Sequence, residues 1–199
     1  MAVLDGPCTY SRAFAAAGTH RIDASVVDAY GYPGSPGPFL VTASALSPDP
    51  LYLADNPTAL ITEDNVYGGV RFGSVYWQSE VLIGGIRYYH AIGMHAPSSG
   101  IGFADFRIPA GAAYVNTVIG LAARSDDSCV GHARAAIYAG GVHLWSGNVE
   151  GDIRSTRINL GSMALPAGAA TLRLQVEPIG SNACAHTTWG DPSFSAIAR

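Results

Sequence analysis

The chain has 199 residues, enough for one good core plus an accessory piece or for two small domains. Its 15 acidic against 11 basic residues give a net charge of −4, and no basic stripe could neutralise a row of phosphates, so nucleic acid is excluded as a partner. With 48% hydrophobic but only 13% charged residues, 24 glycines and 12 prolines, the composition suits short strands joined by tight turns and disfavours a helical fold. No segment approaches the ~18 consecutive apolar residues of a membrane span, so no membrane insertion is expected. The start, Met1 to Asp5, has neither the charged region nor the apolar run of a signal peptide.

In chain order, Ala13–Ala17 could form a single helical turn, which Gly18 would end. His20 to Asp28 carries partial apolar alternation, and Ala-Tyr-Gly-Tyr-Pro-Gly-Ser-Pro-Gly-Pro follows it, a cluster of breakers. This reads as a strand and then a turn-rich link. With Tyr10, Phe14 and Gly18-Thr19-His20, the stretch resembles the last strands of a bacterial immunoglobulin-like repeat. Two strands bury too little apolar surface to stand alone. Residues Tyr10 to Asp28 are therefore expected to dock on an exposed sheet edge, either of the rest of the chain or of an identical chain, and the division falls between an extension at 1–45 and a domain at 46–199.

From Leu46 onward, β-like runs recur at Val66–Phe72, Ser79–Ile83, Arg87–Ile92, Gly102–Ile108, Val115–Ala122, Ala133–Tyr138, Val142–Trp145, Thr156–Leu160, Ala170–Val176 and Ser193–Ile197. Gly84-Gly85, Pro109-Ala110-Gly111, Gly140-Gly141, Pro166-Ala167-Gly168 and Asp191-Pro192 separate them. The spacing predicts an all-β, antiparallel two-sheet β-sandwich of jelly-roll type with an N-terminal β extension. Tyr88–Ile92, Val118–Ala122 and Leu172–Val176 are expected to supply its core, and Gly140-Gly141 to form a primed hairpin turn.

Three blocks carry a family resemblance. Gly84-Gly85-Ile86-Arg87-Tyr88-Tyr89-His90-Ala91-Ile92-Gly93-Met94-His95-Ala96-Pro97-Ser98 is the most specific. Val118-Ile119-Gly120-Leu121-Ala122 with Ala133 to Gly141 is the second. Thr171 to Val176 with Trp189-Gly190-Asp191-Pro192-Ser193-Phe194 is the third. Together they resemble the NPCBM family of carbohydrate-binding modules, although Ala123-Arg124 stands where the family usually has an acidic residue and Gly140-Gly141 replaces its Asp-Gly turn. The resemblance implies a jelly roll without catalytic machinery, binding of galactose-type glycans, and a place beside other domains of a secreted or surface protein.

Neutral sugars are held by an aromatic face against pyranose C–H groups and by planar polar side chains on vicinal hydroxyls. Asn182, His186, Trp189 and Asp191 lie within ten positions, and His95 ends the first block. Cys129 and Cys184 both sit in polar loops where a disulfide could form, which would bring Arg124, Asp126, Asp127 and His132 to the same neighbourhood. The expected ligand-binding set is His95, Arg124, His186, Trp189 and Asp191. Bland alternatives stay open: a core plug for Trp189, a turn cap for Asp191, a backbone-bonded histidine for His95. Trp77 and Trp145 are the reserve stacking surfaces. Three scattered cysteines, with no second Cys or His at zinc spacing, exclude a structural zinc. No cofactor is required, with structural calcium at Asp126 and Asp127 left open.

Hydrolysis of a glycosidic bond would need two carboxylates across a cleft. The four glutamates are scattered, and no nucleophile elbow appears, so no enzyme is expected. From a different class, the alternative is a self-assembling cell-surface or fibre building block that uses its N-terminal strands for strand addition.

Overall fold

The structure, a computed structural model, describes residues 50–74, 81–122, 130–151 and 157–198 and the backbone of four strands between residues 18 and 43. It divides into two compact units, Met1–Ser47 and Pro48–Arg199.

In the first unit, β1 (Gly18–Asp23), β2 (Val26–Val27), β3 (Pro33–Gly34) and β4 (Pro38–Ala43) follow one another. β1 pairs antiparallel with β4 over its whole length, from Gly18↔Ala43 to Asp23↔Pro38, and β2 pairs with β3. β1 thus finds a strand partner within its own unit. The stretch expected as a link supplies β3 and the first residue of β4: Pro33 and Pro38 each begin a strand, where a proline's missing N–H is tolerated. Ala13–Ala17 lies outside the described residues.

The second unit holds β5 (Leu51–Tyr52), β6 (Leu60–Asp64), β7 (Tyr67–Phe72), β8 (Val81–Ile83), β9 (Ile86–Tyr88), β10 (Ala91–His95), β11 (Gly102–Arg107), β12 (Tyr114–Leu121), β13 (Gly131–Ala139), β14 (Val142–Gly151), β15 (Arg157–Ala164), β16 (Thr171–Pro178) and β17 (His186–Ser195). Two single 3-10 turns, Leu53–Asp55 and Pro57–Ala59, link β5 to β6. One sheet runs β15-β12-β17-β10-β7, with β5 also paired to β17; the other runs β14-β13-β16-β11-β6. All these pairings are antiparallel. At the β13–β14 turn both Gly140 and Gly141 have positive φ, 56° and 82°, the signature of the expected primed turn.

The core lies between the sheets. Ile92 and Met94 of β10, Ile119 and Leu121 of β12, Leu172, Leu174 and Val176 of β16, Phe106 of β11 and Trp189 of β17 form one cluster. Each strand contributes every second residue, as the pleat requires. A second, smaller cluster joins Val81, Ile83 and Tyr88 of the β8–β9 hairpin to Ala91 and Ala122. Ala91 and Ile92 are neighbours on β10 yet belong to different clusters, so the hairpin covers the outer face of its sheet.

Several boundaries differ from the sequence expectation. Arg87–Ile92 is two strands, split between Tyr88 and Ala91. Leu60–Asp64 went unrecognised because four of its five residues are exposed and show no apolar alternation. β17 begins at His186, seven residues before the expected Ser193. Asp191-Pro192 looks like a chain break in sequence, but the strand absorbs it as a bulge.

Candidate functional site

The bulge is one of a pair. Along β12, Asn116 and Val118 face Ser193 and Gly190 of β17, so three steps of β17 match two of β12. On the other side, Thr117 and Val118 face Gly161 and Asn159 of β15, again with one extra residue. Bulges bend a strand and redirect its side chains, and they recur next to functional sites. Here both fall on the same pair of β12 residues and open the sheet surface between β15 and β17. Asp191 adopts φ 47°, a left-handed conformation unusual outside glycine that Asp tolerates at a cost. Thr117 Oγ1 donates to the Gly190 carbonyl at 3.1 Å and helps hold the distortion.

The resulting cleft has a volume of about 370 Å³, and its lining includes Tyr52, Tyr88, Asn116, Arg157, Asn159 and Asp191. Tyr88 lies flat on Gly190, where even a methyl group would come within 2.6 Å of the ring. Its hydroxyl accepts a hydrogen bond of 2.7 Å from Arg157 Nε, which fixes the guanidinium at the cleft edge. Tyr52 stacks on His90 with centroids 3.9 Å apart and planes 6° off parallel. His90 is held in turn by Asp55, 2.8 Å from Nδ1, and its backbone N–H donates to Asp191 Oδ1 at 3.3 Å. Asn116 is fixed between Ser195 and Ser162. The cleft thus combines two anchored rings with a guanidinium, a carboxylate and amides.

The sequence-based set does not converge here. His95 and His186 face each other across β10 and β17, with ring centroids 4.2 Å apart. His95 Nδ1 donates to the Ala96 carbonyl at 2.7 Å. Burial pushes the His95 pKa down against that hydrogen bond, and burial plus the neighbouring His95 pushes His186 down to about 3. The space beside them, lined also by Tyr67 and Arg71, is only about 10 Å³. That is room for one water, too little for a pyranose. Asp191 is five residues further along β17, roughly 15 Å at the strand rise, so the two places are separate.

Trp189 is a correction: it is fully buried among the core residues, so it has no face to offer a sugar. Its position opposite Ile92 and Ile119 puts it on the inner side of the sheet. Trp145 is half-buried and packed against the same core. Arg124, Asp126, Asp127, Cys129 and Trp77 lie outside the described residues. Among the described residues no group of three or more His, Cys, Asp or Glu is placed to hold a metal ion, and no helix is long and apolar enough to cross a membrane. Cys184 is disulfide-bonded, and both other cysteines lie outside the described residues. Sequence reasoning missed Tyr52, Arg157 and Asn159, because only the sheet order brings β5, β15 and β17 together. Tyr88 lay inside the most specific sequence block and could have been found there.

The profile of the NPCBM/NEW2 domain matches residues 51–195, nearly the whole second unit. The chain belongs to the NPCBM/NEW2 family. This NPCBM/NEW2 chain is accordingly a carbohydrate-binding module, a non-catalytic domain. A search of curated proteins finds no match. Among solved structures it is similar to the CBM51 of a Clostridium perfringens GH95 protein in complex with methyl-galactose, at 18% identity and TM-score 0.61, over 74% of this chain and 100% of that one. It is also similar to CBM51-2 and INT domains of Clostridium perfringens ZmpB in complex with GlcNAc, at 16% identity and TM-score 0.58, over 90% of this chain. There it spans only 38% of the other chain's length. A third similarity is to the tandem CBM51 modules of a family 98 glycoside hydrolase from Streptococcus pneumoniae, at 13% identity and TM-score 0.56, over 83% of this chain and 55% of that one. At such identities the likeness shows the shared β-sandwich.

Proposed function

We propose that this module binds a galactose-type sugar of an extracellular glycan in the Asp191 cleft, and that it serves a secreted or surface protein containing other domains. The observation that carries this reading is the double bulge, which opens a polar cleft with two aromatic walls in a carbohydrate-binding fold. The ring of Tyr52 suits the C–H face of a pyranose, while Tyr88, 7% exposed, holds Arg157 in place. Arg157 keeps its terminal N–H groups as donors once Nε is committed to Tyr88, and Asp191 keeps Oδ2 as an acceptor once Oδ1 is committed to His90. A donor and an acceptor across one cleft match the two roles of vicinal hydroxyls. The galactose preference draws on the methyl-galactose complex of the GH95 module, and the multidomain setting on the tandem modules of the family 98 hydrolase.

One stacked ring and a few exposed hydrogen bonds supply roughly 4–7 kcal/mol, a dissociation constant on the order of 10⁻³ to 10⁻⁵ M. Calorimetric titration with methyl-galactose should show Arg157→Ala and Asp191→Asn weakening binding about tenfold or more, with His95→Ala unchanged. If the first two bind like the wild type, the Asp191 cleft is not the site. Loss in His95→Ala alone would move it to the His95–His186 pair.

A further inference from the structure

The outer face of the second sheet carries another candidate. On β16, Leu172, Leu174 and Val176 point into the core, so Thr171, Arg173 and Gln175 face outward. By the same alternation Phe103 and Asp105 of β11 and Tyr138 of β13 face outward too. The register places Asp105, Arg173 and Tyr138 side by side on three adjacent strands, with Phe103 beside Gln175 in the next row.

Asp105, Tyr138, Gly141, Thr171, Arg173 and Gln175 line a groove of about 380 Å³ that shares no residue with the Asp191 cleft. That volume lies within the range of small-molecule clefts, about 300–1,000 Å³. Its floor is fixed. Arg173 donates from Nε to Asp105 Oδ1 at 2.8 Å and from Nη2 to Oδ2 at 2.7 Å, a bidentate pair. The guanidinium carbon sits 3.8 Å from the centroid of the Phe103 ring. Tyr138 is steadied by an edge contact to His143 at 5.3 Å. An arginine held at both a carboxylate and an aromatic face loses little freedom when a ligand arrives.

We infer that this groove is a second carbohydrate site, one that takes an internal stretch of a neutral polysaccharide. The charges of Arg173 and Asp105 cancel within the groove, so neither an anionic nor a cationic ligand gains from entering. What remains on offer is planar and uncharged overall: the unused guanidinium N–H groups, the Gln175 amide, the Thr171 and Tyr138 hydroxyls and the Tyr138 ring. These suit ring hydroxyls and C–H faces rather than phosphate or carboxylate. A sheet face, unlike a closed pit, lets a chain enter and leave, so internal residues bind as well as an end. Two sites on different sheets would let one module hold a polymer and a terminal sugar together, which raises avidity without new contacts at either.

The test uses the full chain and four neutral hexaoses, β-1,4-linked glucan, mannan, xylan and galactan, with oligogalacturonate as the charged comparison. Tyr138→Ala and Gln175→Ala, both partly exposed, should keep the fold and methyl-galactose affinity. Each should weaken the best hexaose at least fivefold, while Arg157→Ala leaves hexaose binding within twofold. The inference is overturned if no hexaose binds, if both groove variants bind it like the wild type, or if oligogalacturonate binds better than all four. Failure of methyl-galactose binding in the wild type would count against the Asp191 cleft alone, because the hexaose arm reads the groove separately.

Discussion

His186 shows how far position alone can move a side chain's chemistry. A histidine near a polar loop looks like a ligand in sequence, but here the ring is 9% exposed and packed edge-on against His95. Burial outweighs any benefit of charge, and the folded pKa falls to about 3, against about 6.5 for an unfolded chain. Between those values the unfolded state binds the extra proton. The contribution of His186 is therefore complete above pH ~6.5 and is lost as pH falls toward 3, at up to about 1.4 kcal/mol per unit. His95, shifted the same way, adds to the slope. Urea midpoints at pH 7 and pH 5, above most carboxylate titration, should show wild-type stability dropping and His186→Gln dropping less. Equal slopes in both proteins would place the acid sensitivity elsewhere. Trp189 was legible as either plug or platform. The burial of its neighbours Ile92 and Ile119 decides for the plug, and no local pattern encodes that.

At the scale of elements, the β8–β9 hairpin decides the shape of the candidate site. Its anchor is Tyr88, 7% exposed, seated on Gly190 and tied to Arg157. A glycine at 190 is required for space: an alanine Cβ would lie 2.6 to 2.9 Å from three ring atoms of Tyr88. Because the ring is buried against Val81, Ile83 and Ala91, it cannot swing aside. Gly190→Ala should cost about 1–3 kcal/mol, the usual range for overpacking, and weaken sugar binding with it. Adding Tyr88→Ala removes the clash, so the double variant should lose less than the sum of the two single changes. Additive losses by chemical denaturation would mean the two residues do not meet. The sequence placed most strands because their apolar residues alternate. It misread β17 because Gly190-Asp191-Pro192 is breaker chemistry, and only two neighbouring strands, each offering backbone partners, can carry a chain through such a bulge.

For the whole molecule, the disulfide at Cys184 reports on how distant loops are joined. Gly131, two residues after Cys129, lies so close to the Cys184 carbonyl that no side chain would fit between them. Cys129 is thus the expected partner, and non-reducing peptide mapping should recover a Cys129–Cys184 linked pair. Reduction should lower stability by about 2–4 kcal/mol. A Cys8–Cys184 pair would refute this and tie the first unit to the second. The sequence by itself determined the fold class, the hairpin at Gly140-Gly141, most of the core strands and the family, because period-2 burial, turn glycines and short motifs are local properties of the chain. It did not determine the site. Tyr52, Tyr88, Arg157 and Asp191 come from four strands separated by up to 139 positions, and they meet only because the sheet order β15-β12-β17 with β5 attached brings them to one pair of bulges. The pairing of β1 with β4 was likewise decided in three dimensions, since no local pattern in Pro38–Ala43 names Gly18–Asp23 as its partner strand.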